Sequence, residues 1–263
     1  RDLHSFPTRR SSDLDIQESL QKTSSIKKKS AADQFFQLPS LEGFNGKILL
    51  KFDNLNIDDT NIKNAKLTGS LKDGNVDVSE LICTLYGGDL TYKGLIGMKN
   101  NKTINGNLTL KEVLLEKLLP NIVSVDTIKG VTNVSATITS SASNSKDFTK
   151  NLSSEIRFSA NTPVVKGYGL NNLVRKMFAF RHHKQDLMDP EKILFNPKSE
   201  TTFTQANGSI SIKRKVNGSF KVNLTAPALN GIASGKINLV SNHVDGLLNV
   251  IFLTGDRKKQ IPI

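Results

Sequence analysis

His182 and His183 are the only paired histidines in the chain, and they are adjacent. Neighbouring side chains project to different sides of a helix or strand, so the two are poorly placed to hold one ion together. No HExxH-type spacing and no second cysteine adds further ligands, and a solvated basic cluster is the simpler account. His243 stands alone in a polar Asn-His turn. Asp58-Asp59 follow Leu55 and Ile57 as neighbouring acids, which reads as a solvated loop pair rather than an acid–base couple. Tyr86-Gly87-Gly88 and Gly167-Tyr168-Gly169 are glycine-rich, but neither carries the Lys-Ser/Thr of a phosphate cradle nor the GxGxxG form. Both read as tight turns or bulges. No GxSxG elbow occurs. The residues therefore lead to the expectation of no catalytic site, no metal and no cofactor, and the chain is not read as an enzyme.

Composition narrows the class. The 263 residues carry 36 Lys and Arg against 24 Asp and Glu, a formal net charge of +12. The cations are mostly lysines scattered along the chain, with no Trp and three Tyr. A nucleic-acid binder would concentrate its cations in a stripe interleaved with aromatics, so nucleic acid is not expected as a partner. The excess of lysine is equally what the codons of an AT-rich genome would give, and a basic surface would still favour anionic partners such as phospholipid headgroups. Cys83 is the only cysteine, so the fold cannot rest on an internal disulfide. No run approaches the roughly eighteen apolar residues of a spanning helix. Hydrophobic content of 37% suits an extended sheet with one wet face.

The elements follow from periodicity. Ile48, Leu50 and Phe52 alternate with polar residues, as do Leu90, Tyr92, Gly94, Ile96 and Met98, then Ile104, Leu108 and Leu110. Val134, Ala136 and Ile138 repeat the pattern, followed by Ile156 and Phe158. A period of two marks half-buried strands. Asp73-Gly74 and Asn217-Gly218 are read as tight turns, so the sheet is expected to be antiparallel. A pattern of Gly, any residue, apolar, any residue, apolar recurs at Gly46, Gly106, Gly208, Gly218 and Gly235, and each glycine is expected to open a strand. Two helices are predicted. Lys111 to Leu119 places its leucines on one stripe and stops at Pro120. Leu170 to Phe180 places Leu170, Leu173, Val174, Met177 and Phe178 on one face. Each could cap the end of the sheet or act as a gate or membrane-surface contact. The second runs into Lys176, Arg181, His182, His183 and Lys184, a cluster that would suit an anionic surface.

The N-terminus is treated separately. Arg1 to Leu14 reads back, codon by codon, as a short-read sequencing adapter translated in frame, and it is set aside from the fold. The expected organisation is an artefactual segment at 1–14, a polar linker at 15–40, of which Asp15 to Asp33 with Lys27-Lys28-Lys29 reads as a linker or a frayed helix, and one β domain at 41–263. On this reading the chain is a fragment, and a signal peptide or anchor upstream of Asp15 would be missing from it.

Leu81 to Gly94 forms a strand, a Gly-Gly turn and a returning strand, and Leu110 to Leu119 follows as a short leucine helix. Lys129-Gly130, Leu152 to Leu173, Thr201-Thr202-Phe203, Asn207-Gly208-Ser209 and Gln260-Ile261-Pro262-Ile263 come after in order. The ordered set, from about Leu41 to Ile263, resembles the C-terminal part of the AsmA family of Gram-negative envelope proteins. The resemblance implies a long twisted antiparallel sheet curled into an open apolar groove. It further implies a periplasmic location, attachment to the inner membrane by an N-terminal helix, and roles in outer-membrane assembly and phospholipid movement. The partners it implies are phospholipid, membrane and envelope proteins. For such a groove the candidate lining residues are Ile210, Ile212, Phe220, Val222, Leu224, Ile237, Leu239, Leu248, Val250 and Phe252, which could equally pack against the two helices.

Overall fold

The computed structural model describes residues 31–57, 60–122, 126–170, 195–213, 217–227, 229–238, 243–254 and 257–262. Thirteen strands form one sheet. They are β1 (Asn45–Ile57), β2 (Thr60–Lys72), β3 (Asn75–Leu85), β4 (Gly88–Met98), β5 (Lys102–Leu114), β6 (Ile128–Ala142) and β7 (Ser153–Tyr168), then β8 (Phe195–Thr202), β9 (Gln205–Lys213), β10 (Asn217–Ala226), β11 (Leu229–Asn238), β12 (His243–Thr254) and β13 (Arg257–Pro262). Spatial order follows chain order, and all pairings are antiparallel. The one departure is at β7, whose lower half pairs β9 and whose upper half pairs β8. Among the described residues β1 pairs only β2 and β13 only β12, so the sheet curls without closing.

Bulges supply the curl. One extra residue stands in β3 between Val78 and Leu81, another in β5 between Leu110 and Val113, and another in β7 opposite Gly130. An extra residue bends its strand and raises the local right-handed twist. The Asp73-Gly74 and Tyr86-Gly87 turns have positive φ at both residues, which matches the twist of the strands they join.

Among the described residues three short helices sit at the ends of the strands: α1 (Ala31–Gln37), α2 (Leu115–Ile122) and α3 (Ser145–Lys150). α1 falls within the stretch read as a linker, and it is packed: the rings of Phe35 and Phe36 meet Phe148 of α3 at 5.5 and 5.6 Å between centroids. α3 is started by Asn144, whose Oδ1 accepts from the Asp147 amide at 2.9 Å. α2 corrects the expected helix at Lys111 to Leu119. β5 runs on to Leu114 because the bulge, with Glu112 at φ 55°, keeps Val113 in the sheet and fully buried. The helix begins at Leu115, and Pro120 lies inside it. The expected turn at Asn217-Gly218 is also corrected, since both residues already pair in β10. The helix expected from Leu170 lies, apart from Leu170 itself, outside the described residues. Among the described residues no helix is long and apolar enough to cross a membrane.

Candidate apolar groove

Register places the alternating apolar residues on a single face. One cross-strand row runs Leu50, Leu67, Leu81, Tyr92, Leu108, Ala136, Ile156, Ile210, Phe220, ending on Gly235 and Gly246. The next row upward runs Cys83, Leu90, Leu110, Val134, Phe158, Gly208, Val222, Ala233, Leu248. In β10 the alternation is complete: Phe220, Val222 and Leu224 are half-buried, while Ser219, Lys221, Asn223 and Thr225 are exposed. A strand shows this only when one face is sheltered and the other is wet.

Glycines on this inner face sit beneath aromatic rings. A Cβ at Gly106 would lie 2.7 Å from Cε2 of Tyr92, and one at Gly208 2.6 Å from Cζ of Phe158. Cβ atoms at Gly235 and Gly246 would each lie 2.8 Å from the Phe220 ring. This corrects the expectation that Gly106, Gly208 and Gly235 open strands. They lie within strands, and their missing side chains let a ring lie flat across the neighbouring strand.

The candidate lining residues divide into three groups. Ile210, Phe220, Val222 and Ile237 are half-buried on the inner face, and Ile212 is buried beside Gly218. Leu224 and Leu248 pack against a core of Leu170, Phe203, Ala226, Leu229 and Val250, so Val250 is a packed residue at 1% exposure. Leu239 lies outside the described residues. Phe252 is placed by backbone only, opposite Leu229. The core at the upper end of β10 to β12 is fixed by Thr201, whose Oγ1 accepts from the Leu170 amide at 3.0 Å and donates to the Tyr168 carbonyl at 2.7 Å. Leu170 and Phe203 thus fill that end of the face. The cationic cluster Lys176, Arg181, His182, His183 and Lys184 lies outside the described residues.

The opposite, lower end of the N-terminal half is filled by α1. Phe35 and Leu41 pack against the inner-face cluster of Val76, Val78, Tyr92 and Met98. Lys102, 5% exposed, donates its ammonium to the carbonyls of Phe35 at 2.9 Å and Leu38 at 2.6 Å and lies over both phenylalanine rings. Burial pulls its pKa below the ordinary lysine value. Sequence reading passed over Lys102 because it follows Asn100-Asn101 in an apparent turn, and its partners are more than sixty residues away.

Cys83 is a buried free thiol on the same face, with its pKa raised chiefly by burial and further by Asp89. A thiol whose folded pKa exceeds its unfolded one stabilises the fold fully below the unfolded pKa, and that contribution is lost as pH rises through the folded value. The expected outcome is a loss of stability above about pH 9 that is shallower in Cys83→Ala. Urea midpoints across that range check it, and parallel curves for the two proteins would refute it.

The AsmA family profile matches residues 9–225. No curated protein and no solved structure matches the chain. The AsmA family is envelope-associated, and membership points to an envelope or lipid-related role. With the match spanning most of the chain and the sheet open and curled, the chain belongs to the AsmA family.

Proposed function

We propose that this chain is a lipid-binding or lipid-conducting groove of the envelope, working in the periplasm and attached to the inner membrane, in support of outer-membrane assembly and lipid homeostasis. It acts by offering a surface to phospholipid, not by catalysis. The observation that carries this reading is the inner face, whose apolar rows cross from β1 to β12 while the sheet stays open. An acyl chain lying there leaves water at about 0.8 kcal/mol per buried methylene. The wet outer face stays solvated, and a headgroup can remain at the rim.

Mass spectrometry of lipids that co-purify with the chain from a Gram-negative periplasm tests the reading. Stoichiometric phospholipid is expected, reduced at least about fivefold by Phe220→Asp, since a carboxylate on the floor must be desolvated by any chain that covers it. Lys221→Asp, pointing outward from the next position in β10, is expected to retain lipid. A folded protein that comes out free of lipid sinks the proposal.

One observation favours a second reading. Among the described residues β1 has no strand on its outer side, and Leu49, Leu50 and Phe52 on it are 62, 47 and 46% exposed. Such an edge can accept a strand from a partner protein, as an envelope scaffold would require. That reading takes over if no lipid is found and partner capture depends on β1.

A further inference from the structure

Tyr92 is 5% exposed, yet its hydroxyl finds no hydrogen-bond partner among the described residues. It is the one buried side-chain polar atom left in that state there. Its ring lies flat over Gly106, where a Cβ would meet the hydroxyl oxygen at 2.6 Å. Around it are Val76, Val78 and Met98, with Leu81 and Leu108 beside it in the same row. A phenylalanine would pack as well on this floor without burying a donor that nothing accepts. Burial also pushes the phenol pKa up, so near neutral pH the group is an O–H donor.

The Lys102 ammonium and the Ser140 hydroxyl, also buried at this end of the inner face, already have carbonyl partners, in α1 for the lysine and at Phe148 of α3 for the serine. The Tyr92 hydroxyl therefore calls for a neutral acceptor that arrives with hydrocarbon. A phosphate or a free carboxylate carries charge and costs far more to bring onto an apolar floor. An acyl ester carbonyl is neutral, accepts hydrogen bonds and sits at the head of the hydrocarbon chain.

We propose that Tyr92 is a lipid-contacting residue whose hydroxyl donates to the ester carbonyl of a diacyl lipid lying along the inner face. The inference rests on the groove reading above and adds a chemical preference to it: ester-linked over ether-linked lipids. Phe35 and Leu41 pack against the cluster that contains Tyr92, so the ester region reaches the hydroxyl by displacing that cover.

The test titrates the whole chain, by native mass spectrometry, with a short-chain diacyl phosphatidylglycerol and with its dialkyl ether analogue of equal chain length. Wild type is expected to bind the ester about tenfold more tightly, the worth of one hydrogen bond that also relieves an orphaned donor. Tyr92→Phe is expected to remove the preference by weakening the ester alone, and to fold with a urea midpoint equal to or above wild type. Equal binding of the two lipids by wild type overturns the role of Tyr92 while the groove reading stands. A preference that persists in Tyr92→Phe does the same. Binding of neither lipid overturns the groove reading and this inference together. Infrared spectra of a ¹³C-ester lipid bound to wild type give an independent reading if the variant folds poorly. A carbonyl band lowered relative to the lipid in dry hydrocarbon supports the contact, and an unshifted band overturns it.

Discussion

Replacing Gly94 by alanine is expected to cost about 3 kcal/mol of stability, with the urea midpoint falling and the slope of the transition unchanged. Gly94 has φ 154°, a backbone conformation that side chains rarely adopt. A methyl group there would fall 2.5 Å from the Gly106 Cα and closer still to the Asn105 carbonyl oxygen. Those atoms are cross-strand backbone, so relief means prising β4 from β5 in the middle of the sheet. Gly46→Ala is the matched control: nothing lies within 4 Å of its Cβ position, and a change within about 0.5 kcal/mol is expected. Equal effects at the two sites would mean that close strand approach at Gly94 is not what the sheet depends on.

Lys102→Met is expected to release α1 while leaving the sheet folded. The methionine keeps the apolar stem but removes the two donors that satisfy the Phe35 and Leu38 carbonyls, and with them the cation over the two rings. Buried charge–carbonyl hydrogen bonds are worth about 1.5–3 kcal/mol, part of which is returned because the ammonium no longer has to be desolvated. A net loss of about 2 kcal/mol corresponds to roughly thirtyfold faster exchange of the amides that α1 and its following turn protect. The Leu41 amide, which donates to the Met98 carbonyl, is the reporter, and amides in β9 and β10 serve as the unchanged reference. Unaltered exchange at Leu41 would show that aromatic packing holds α1 without the lysine.

The inner face was legible because its signal is local. Ile48, Leu50 and Phe52 alternate on one strand whatever their partners are, and the same is true of Val134, Ala136 and Ile138. What alternation cannot report is where each residue sits across the sheet. Gly106 looks like a strand opener until the register sets it under Tyr92, and Gly208 until it lies under Phe158. The Lys111 to Leu119 stretch carries a helical stripe of leucines, and only the bulge at Glu112, with Val113 locked in the core, holds its first part in β5. Lys102 was unreadable for another reason, because its partners come from a helix in a stretch whose composition looks like a linker.

The order of the strands makes this molecule a ruler. Neighbouring strands stand about 4.8 Å apart, so the twelve on the main path carry a surface about 50 Å long from first to last. Because almost every strand is bonded to its neighbours in sequence, inserting one more hairpin would lengthen that surface by about 10 Å and disturb only the joint where it enters. Removing one would shorten it by the same step. The distance such a protein can span is therefore written in its hairpin count, and can be reset one hairpin at a time without redesigning the rest.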